Sequence, residues 1–274
     1  TKVSELLSGL LTGADPFASR QQEPTVRDVL DAGAARVKTE LAEQPELQAE
    51  MLTVIGRTYQ RLGAQDRARP LIEEALAIGR RTLGSEHVRV AQSLNDLGVL
   101  LAAQGEHAAA AAHLEEALGI RKRVLGPRDK DVAVTLVELG RAYMDQGAHD
   151  RAEPLFREAL DIRRSVLGSE HRETATSLSD LGLLLRLKGD LTAAEAQFRE
   201  SLAINQKALG DRHPNLGASL SNLALVLLDR GEAAEADALL RESLAVQRAT
   251  LGDAHPQIAN VLNNLGHALR EQGK

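Results

Sequence analysis

A 42-residue internal repeat constrains this chain more than any other feature. One series of Leu-Gly dipeptides recurs at a step of 42 residues, at Leu83-Gly84, Leu125-Gly126, Leu167-Gly168, Leu209-Gly210 and Leu251-Gly252. A second glycine series keeps the same step, at Gly63, Gly105, Gly147, Gly189, Gly231 and Gly273. Self-similarity at a fixed period of this length indicates stacked copies of one supersecondary unit.

The apolar residues of each copy predict two helices. In the second copy they recur at a helical spacing, at Leu94, Leu97, Leu101, Leu114, Ala117 and Leu118. The first helix is predicted over residues 88–104 and the second over residues 107–124. Gly105 and Gly126 follow them and can adopt the left-handed conformation that terminates a helix. Neither helix can bury its apolar stripe alone, so the pairs are expected to stack and share a continuous core.

Glycines also recur in the middle of the first helices, at Gly56, Gly98, Gly140, Gly182 and Gly266. Each one costs about 1 kcal/mol relative to alanine in a helix interior. Close approach of the partner helix would offset that cost. We expect the recurring alanines of the second helices to pack opposite, at Ala68, Ala110, Ala152, Ala194 and Ala236.

The segment at residues 94–98, LNDLG, followed by Gly105, Ala110, Ala117 and Leu118, resembles the tetratricopeptide repeat consensus. The 42-residue step and the boundary LGDRHP at residues 209–214 resemble the kinesin-light-chain variety, whose second helix is longer. The resemblance implies an all-α fold, a right-handed superhelical solenoid of tetratricopeptide helix pairs. The sequence departs from this pattern at Asp129, where other boundaries have histidine, and at Ala224, where a glycine is expected.

The repeat fixes the predicted domain organisation. Residues 1–24 are expected to form a partly ordered linker, residues 25–44 an N-terminal capping helix, and residues 45–274 the array. The array divides into five helix pairs at 45–84, 85–126, 127–168, 169–210 and 211–252, plus the first helix of a sixth at 253–274. Thr25 is expected to cap the N-terminal helix. Its apolar residues can cover the open end of the first repeat: Val26, Val29, Leu30, Val37 and Leu41.

Residues 11–17, 25–34 and 44–49 resemble the segment that precedes the repeats in bacterial serine/threonine kinases with C-terminal tetratricopeptide arrays. This resemblance implies a kinase domain upstream, often across a membrane helix. The chain begins at Thr1 rather than Met, which also predicts a piece of a longer protein. It contains no kinase Gly-rich loop, His-Arg-Asp loop or Asp-Phe-Gly motif, so this segment is predicted not to be an enzyme.

Composition excludes several classes of partner. A net charge of −6 disfavours nucleic-acid phosphates, and the lack of an 18-residue apolar run predicts no membrane insertion by this segment. With 43% apolar but only 2% aromatic residues, the core is expected to consist of leucine and alanine. The absence of cysteine excludes disulfides and thiolate metal sites, and it leaves the cellular compartment open.

Four boundary histidines invite a metal hypothesis, at His87, His171, His213 and His255. Each lies in a different repeat, and stacked helices lie about 8–10 Å apart. One zinc ion needs its nitrogen ligands at about 2.0–2.1 Å, so these histidines cannot share one. They are expected to form hydrogen bonds within the turns between repeats. The sequence predicts no metal, no cofactor and no catalytic residue, because it lacks a phosphate loop, a zinc-protease pair and a Gly-flanked serine nucleophile.

In tetratricopeptide architecture the first helices line a concave groove, and its polar positions are the candidate ligand contacts. The sequence places there Asn95, Asp96, Glu138, Arg141, Asp180, Arg186, Asn222, Asn263 and Asn264. In kinesin-light-chain repeats an asparagine before Leu-Gly or Leu-Ala binds the ligand backbone, and the resemblance carries that role to Asn222 and Asn264 only. The acids at the equivalent places, Asp96, Glu138 and Asp180, suggest a basic or amide-rich ligand. An acidic C-terminal tail is disfavoured because it needs clustered Lys and Asn.

Two function classes remain open from the sequence. The favoured one is a non-catalytic scaffold that binds a protein or extended peptide, as a docking or sensory region of a larger bacterial signalling protein. The rival is a self-association module that acts through exposed terminal helices and yields a homo-oligomer. Its motivation is a set of apolar residues in the last helix that lack a second helix to cover them, Val261, Leu262, Leu265 and Leu269.

Overall fold

The computed structural model describes residues 25–210 and 213–273, and the chain divides into two compact units, one ending at Pro127 and the other beginning at Arg128. Within the described ranges the chain forms twelve α-helices and no β-strand, which confirms the all-α prediction. The predicted linker at residues 1–24 lies outside the described residues.

The first unit contains five helices: α1 (Val26–Glu40), α2 (Pro45–Arg61), α3 (Gln65–Leu83), α4 (Val88–Ala103) and α5 (His107–Val124). The second unit contains seven: α6 (Lys130–Asp145), α7 (His149–Leu167), α8 (Arg172–Leu187), α9 (Leu191–Leu209), α10 (Pro214–Asp229), α11 (Ala233–Leu251) and α12 (Pro256–Glu271). The helix predicted over residues 88–104 is α4, and the one predicted over residues 107–124 is α5.

Each first helix packs most closely on the helix that follows it, as α2 does on α3 and α6 does on α7. The second helix of a pair then packs on the first helix of the next, as α3 does on α4 and α9 on α10. Leucine and alanine dominate the buried surface, with Leu94, Leu136 and Leu178 fully buried at equivalent repeat positions. Each unit is therefore a stack of helix pairs with one continuous core.

The two glycine series end the helices in a positive-φ conformation. Gly63, after α2, has φ 71°, and Gly105, after α4, has φ 81°. The second helices end differently from the prediction of a left-handed cap. Gly168 after α7 has φ 96° and ψ 158°, and Gly252 after α11 has φ 80° and ψ 161°. This region of backbone conformation is nearly restricted to glycine, which explains why the Leu-Gly pair recurs.

The boundary histidines are helix N-caps. The Nδ1 atom of His171 accepts a hydrogen bond from the backbone N–H of Glu173 at 3.1 Å, and His87 accepts one from Arg89 in the same way. His213 and His255 repeat this contact at α10 and α12. Asp129 replaces histidine at one boundary but caps its helix in the same way, because its carboxylate accepts a hydrogen bond from the backbone N–H of Asp131 at 2.8 Å. These side chains satisfy a donor that the first turn of each helix leaves free.

Four of the five mid-helix glycines make the close contacts that the sequence predicts, but the main contact is not an alanine. A Cβ atom at Gly140 would lie 2.7 Å from the ring of Phe156, and one at Gly98 would lie 2.6 Å from Leu114. A large side chain of the partner helix therefore lies directly on the glycine. The recurring alanine contributes a backbone carbonyl, such as that of Ala110 at 3.2 Å from the Gly98 position.

Repeat five replaces this contact with a matched pair. Ala224 stands at the glycine position, and Leu240 stands where Phe156 and Phe198 stand in earlier repeats. Both Ala224 and Leu240 are fully buried. In α12, a Cβ atom at Gly266 would meet nothing within 4 Å.

Helix α1 packs on α2 through both apolar and polar contacts. Val37 and Leu41 are buried, whereas Val26 is exposed. The Tyr59 hydroxyl donates to Asp31 Oδ1 at 2.6 Å, and burial raises the pKa of Tyr59 to about 12, with the Asp31 hydrogen bond adding to that effect. Thr25 caps α1, since its hydroxyl accepts from the N–H of Asp28 at 3.3 Å.

The last helix buries two of the four apolar residues that the self-association hypothesis expects to be exposed. Val261 and Leu265 are buried, while Leu262 is 43% exposed. Leu269 is half-buried. The expectation that all four residues lack cover is therefore wrong for Val261 and Leu265, because α12 turns that edge toward α11 and α10.

We expect Gly140→Ala to destabilise the chain. Overpacking against the buried Phe156 ring costs about 1–3 kcal/mol, which outweighs the gain in helix propensity of about 1 kcal/mol. Adding Phe156→Leu should restore stability, because the double variant reproduces the natural Ala224–Leu240 pair. Denaturant unfolding followed by circular dichroism measures both changes.

Gly266→Ala is the matched control, because its Cβ atom enters open space. It should raise stability through helix propensity alone. Equal stabilisation by Gly140→Ala and Gly266→Ala would contradict the account of the glycine contact.

Candidate functional site

The candidate residues all lie on first helices, which form one wall in each unit. Consecutive first helices contact each other directly, α2 with α4 in the first unit, and α6 with α8, α8 with α10 and α10 with α12 in the second. We call the non-core side of these helices the first-helix face. The candidates lie on α4 (Asn95, Asp96), α6 (Glu138, Arg141), α8 (Asp180, Arg186), α10 (Asn222) and α12 (Asn263, Asn264).

In the first unit, Asp96 forms a bidentate ion pair with Arg57 of the neighbouring first helix. The Nε atom of Arg57 donates to Oδ2 at 2.7 Å and the Nη2 atom donates to Oδ1 at 2.9 Å. The amide of Gln92 adds a third bond to the carboxylate at 3.0 Å. Burial still raises the pKa of Asp96 above its ordinary value, and Arg57 acts against that rise.

Asn95 is buried rather than presented to a ligand. Its Oδ1 atom accepts from Arg121 of α5 at 3.4 Å, and Arg121 also donates to Gln92 at 2.7 Å. The Asn95 amide therefore belongs to the contact between α4 and α5.

The second unit repeats the ion pair. The Nη2 atom of Arg141 lies 3.0 and 2.9 Å from the two carboxylate oxygens of Asp180, and its Nη1 atom donates to Glu138 at 3.1 Å. Burial raises the pKa of Asp180 and of Glu138, and Arg141 opposes both shifts. For Arg141, desolvation acts to lower the pKa, but the two carboxylates outweigh it and raise the pKa.

Arg186 of α8 reaches in turn to Asp229 at the end of α10, with its Nε atom 2.5 Å from Oδ2. On α4, α6 and α8 the first-helix face therefore carries closed carboxylate–guanidinium pairs instead of the free acids that the sequence suggested. The missed signal is a spacing: Arg57 and Asp96 are 39 residues apart, as are Arg141 and Asp180. A separation of 39 residues, three fewer than the repeat length, therefore places two side chains opposite each other on neighbouring first helices.

Asn222 and Asn264 occupy equivalent positions on adjacent first helices, and both side chains are partly exposed. In the part of the chain that the structure describes, neither makes a side-chain hydrogen bond. Asn263 beside them is exposed. An amide offers a donor and an acceptor together, so this end of the second unit presents the hydrogen-bonding groups that a peptide backbone needs.

Buried second-helix side chains form hydrogen bonds with the first helices behind this face, and sequence reasoning missed them. Arg163 of α7 donates to Ser177 of α8 at 2.8 Å, and Asn205 of α9 donates to Ser219 of α10 at 2.9 Å. Both are buried, and they fill the space between one helix pair and the next first helix. Their 42-residue spacing could have revealed them.

In the first repeat, the position equivalent to Arg163 and Asn205 is occupied by Gly79. Gly79 and its neighbours leave a cleft of about 240 Å³ between α2, α3 and α4. Its lining includes Glu46, Ala49, Glu50, Thr53, Val54, Arg57, Ala75, Gly79, Leu83, Arg89, Gln92 and Ser93.

Across the described residues, no three His, Asp or Glu side chains cluster as metal ligands would. No helix in the described ranges has the length and apolar character to cross a bilayer. The face thus provides hydrogen-bonding groups, ion pairs and one apolar cleft, an arrangement suited to binding.

We expect Arg141→Met to destabilise the chain by about 1–3 kcal/mol at pH 7, less than for a fully buried pair because the Arg141 side chain is 38% exposed. Its removal should raise the pKa of Asp180 further. A carboxyl whose folded pKa is raised contributes stability that is present below its unfolded pKa and is lost as pH rises through the folded value. The deficit of the variant should therefore shrink as pH falls toward about 4.

The double variant Arg141→Met, Asp180→Asn is the control, because it removes the buried charge together with its partner. It should recover part of the lost stability at pH 7 in denaturant titrations, and the remaining deficit is that of Glu138, which also loses its hydrogen bond to Arg141. A deficit that stays constant from pH 7 to pH 4 would contradict this assignment.

The sequence matches the family model described as tetratricopeptide repeat over residues 47–123, 131–207, 181–241 and 215–274. A search of the curated proteins finds no match. Solved structures share the fold. A putative kinesin light chain from Podosopora anserina with nearly identical TPR-like repeats is 29% identical, with a TM-score of 0.65, covering 75% of this chain and 97% of that one.

BtubC (BKLC) from P. vanneervenii is 23% identical, with a TM-score of 0.72, and the match covers 85% of this chain and 95% of that one. The apo form of RapI is 14% identical, with a TM-score of 0.63 over 98% of this chain and 97% of that one. The family model covers most of the sequence, and its matches follow the helix pairs described above. The chain belongs to the tetratricopeptide repeat family, and its repeats are similar to those of kinesin-light-chain-like arrays.

Proposed function

We propose that this chain is a non-catalytic scaffold that binds an extended peptide segment of another protein on its first-helix face. The observation that carries the proposal is the pair of unengaged amides, Asn222 and Asn264, on adjacent first helices of one unit. Tetratricopeptide repeats bind proteins or peptides, which agrees with this assignment.

The charges of the face favour recognition of the peptide backbone over recognition of basic side chains. Asp96 and Asp180 already accept hydrogen bonds from Arg57 and Arg141, so a ligand's lysine would have to displace a bidentate guanidinium. Amides meet no such competition. We therefore expect backbone hydrogen bonds at α10 and α12 to supply most of the polar contacts.

The wider role proposed is a docking or sensory region of a larger bacterial signalling protein. Its support is the resemblance of residues 11–17, 25–34 and 44–49 to the segment that precedes such arrays in serine/threonine kinases. Of these segments, α1 contains residues 26–34 and packs on the first repeat.

Self-association through α12 is the second candidate, and Leu262 supports it. This side chain is 43% exposed, although its neighbours Val261 and Leu265 are buried. Light scattering over a range of protein concentrations separates the two candidates. A molar mass that rises with protein concentration would favour self-association, provided that Leu262→Ser abolishes the rise.

For the peptide-binding proposal, a random peptide library displayed on phage and selected on the chain supplies the probes. Asn222→Ala with Asn264→Ala should weaken the selected peptides about 10- to 100-fold, because each asparagine loses up to two hydrogen bonds. Fluorescence polarisation measures the affinity.

Gln206→Ala is the matched control, because it removes an exposed amide from the second helix α9. It should leave the affinity unchanged. Peptides that bind the asparagine double variant as tightly as the native chain would place the ligand elsewhere.

A further inference from the structure

We infer that the cleft at Gly79 is a specificity pocket for one bulky apolar side chain of the peptide, next to a basic residue. The inference rests on the proposed function and assigns the part of the ligand that determines selectivity. It follows from a comparison of one position through the repeats, from the shape of the cleft and from the charges at its mouth.

The position of Gly79 is filled by a long or polar side chain in each later pair. The residues that follow it at steps of 42 are Arg121, Arg163, Asn205 and Gln247, and all four are buried. Arg163 and Asn205 reach a serine on the next first helix, at Ser177 and Ser219.

Ser93 is the equivalent serine in the first unit, and no side chain from α3 reaches it. Its hydroxyl donates to the backbone carbonyl of Arg89 at 3.2 Å instead. Gly79 contributes no side chain, so the space that Arg163 fills in the second unit is open here. The opening therefore results from one residue in an otherwise regular array.

The cleft has apolar walls and the size of a single side chain. Ala49 and Val54 of α2, and Ala75 and Leu83 of α3, line it together with Gly79. Its volume of about 240 Å³ falls below the roughly 300–1,000 Å³ of small-molecule sites. Val54 at the mouth is 51% exposed, which extends the apolar surface toward a ligand.

Two glutamates and two arginines line the cleft, and both arginines already have carboxylate partners. Arg57 is paired with Asp96, and Arg89 lies 3.5 Å from Glu50. Glu46, which is exposed at the same mouth, makes no ion pair among the residues that the structure describes. Glu46 can therefore pair with a cation without displacing a guanidinium, and a lysine or arginine adjacent to the apolar residue matches it.

The occupant is thus a segment of an extended peptide with a leucine-, methionine- or phenylalanine-sized side chain beside a basic residue. Contact of the segment with the first helices α2 and α4 beside the cleft would orient it, and the pocket would select its sequence. A binding face that relies on amides alone accepts many sequences, whereas one buried apolar anchor discriminates among them.

The test uses peptides selected from the random library on the full 274-residue chain. Gly79→Arg introduces the residue that the next two pairs hold, so the fold should tolerate it, and a thermal melt checks this. The selected peptides should share one bulky apolar position and should bind Gly79→Arg about 10- to 100-fold more weakly.

Two further variants separate filling of the pocket from nonspecific effects. Gly79→Ala adds a Cβ atom in ordinary contact with Val90 at 3.4 Å, so it should weaken binding only a few-fold. Gly119→Arg adds the same side chain to α5, next to Arg123 and away from the cleft, and should leave the affinity unchanged. Replacing the apolar anchor of the peptide by alanine should weaken binding to the native chain but not to Gly79→Arg.

Glu46→Gln tests the mouth of the pocket. For peptides with a basic residue beside the anchor, it should weaken binding about 2- to 5-fold, with a smaller dependence on salt, as expected for an exposed ion pair. Equal affinity and equal salt dependence in Glu46→Gln would overturn the basic half of the assignment.

The outcomes distinguish this inference from the proposed function. If the library yields no peptide that binds the native chain, peptide binding itself is overturned and the pocket with it. If peptides bind the native chain and Gly79→Arg equally, the pocket alone is overturned and the peptide lies elsewhere on the face. A native dimer that Gly79→Arg dissociates would identify a second copy as the occupant and would also overturn the assignment.

Discussion

The contact between a glycine in each first helix and a large side chain in its partner sets how closely the pairs pack. Gly56, Gly98, Gly140 and Gly182 receive Ile72, Leu114, Phe156 and Phe198, each 16 residues later. The cost of glycine in a helix interior, about 1 kcal/mol, is offset by the contacts that a fully buried side chain makes with the opposing backbone. Since Ala224 pairs with Leu240, the combined volume of the two partners matters more than the identity of either.

Close packing of each pair leaves the non-core side of the first helix to polar chemistry. Where arginine and aspartate lie on neighbouring first helices, they form ion pairs, as Arg57 does with Asp96 and Arg141 with Asp180. These partly buried pairs link consecutive repeats, and their carboxylates are raised in pKa because burial outweighs the ion pair. Where asparagine stands instead, at Asn222 and Asn264, no partner in the described chain engages it. The same repeat position thus carries an ion-paired carboxylate that links neighbouring repeats in some copies. In others it carries an asparagine whose amide is available to a ligand.

The sequence was sufficient to predict the fold because a strict period repeats every determinant of helix start, helix end and core. The glycine after each helix, the histidine cap and the leucine core positions are local or nearest-neighbour features, so one repeat explains all of them. The site was harder to predict. A candidate such as Asp96 looks open when its own helix is considered alone, and only the placement of Arg57 on the preceding first helix shows that it is paired. The cleft at Gly79 depends on a side chain that is missing, which becomes visible only when the space filled by Arg163 is known.

The central claim is that the non-core side of the first helices receives the ligand, and photo-crosslinking locates that ligand most directly. A library-selected peptide carrying a photoreactive residue would be irradiated with the native chain, and mass spectrometry would assign the crosslinked residues. The account predicts crosslinks on first helices, at positions such as Asn222 on α10 and Asn264 on α12. Crosslinks confined to exposed second-helix residues, such as Gln206 on α9, would contradict it.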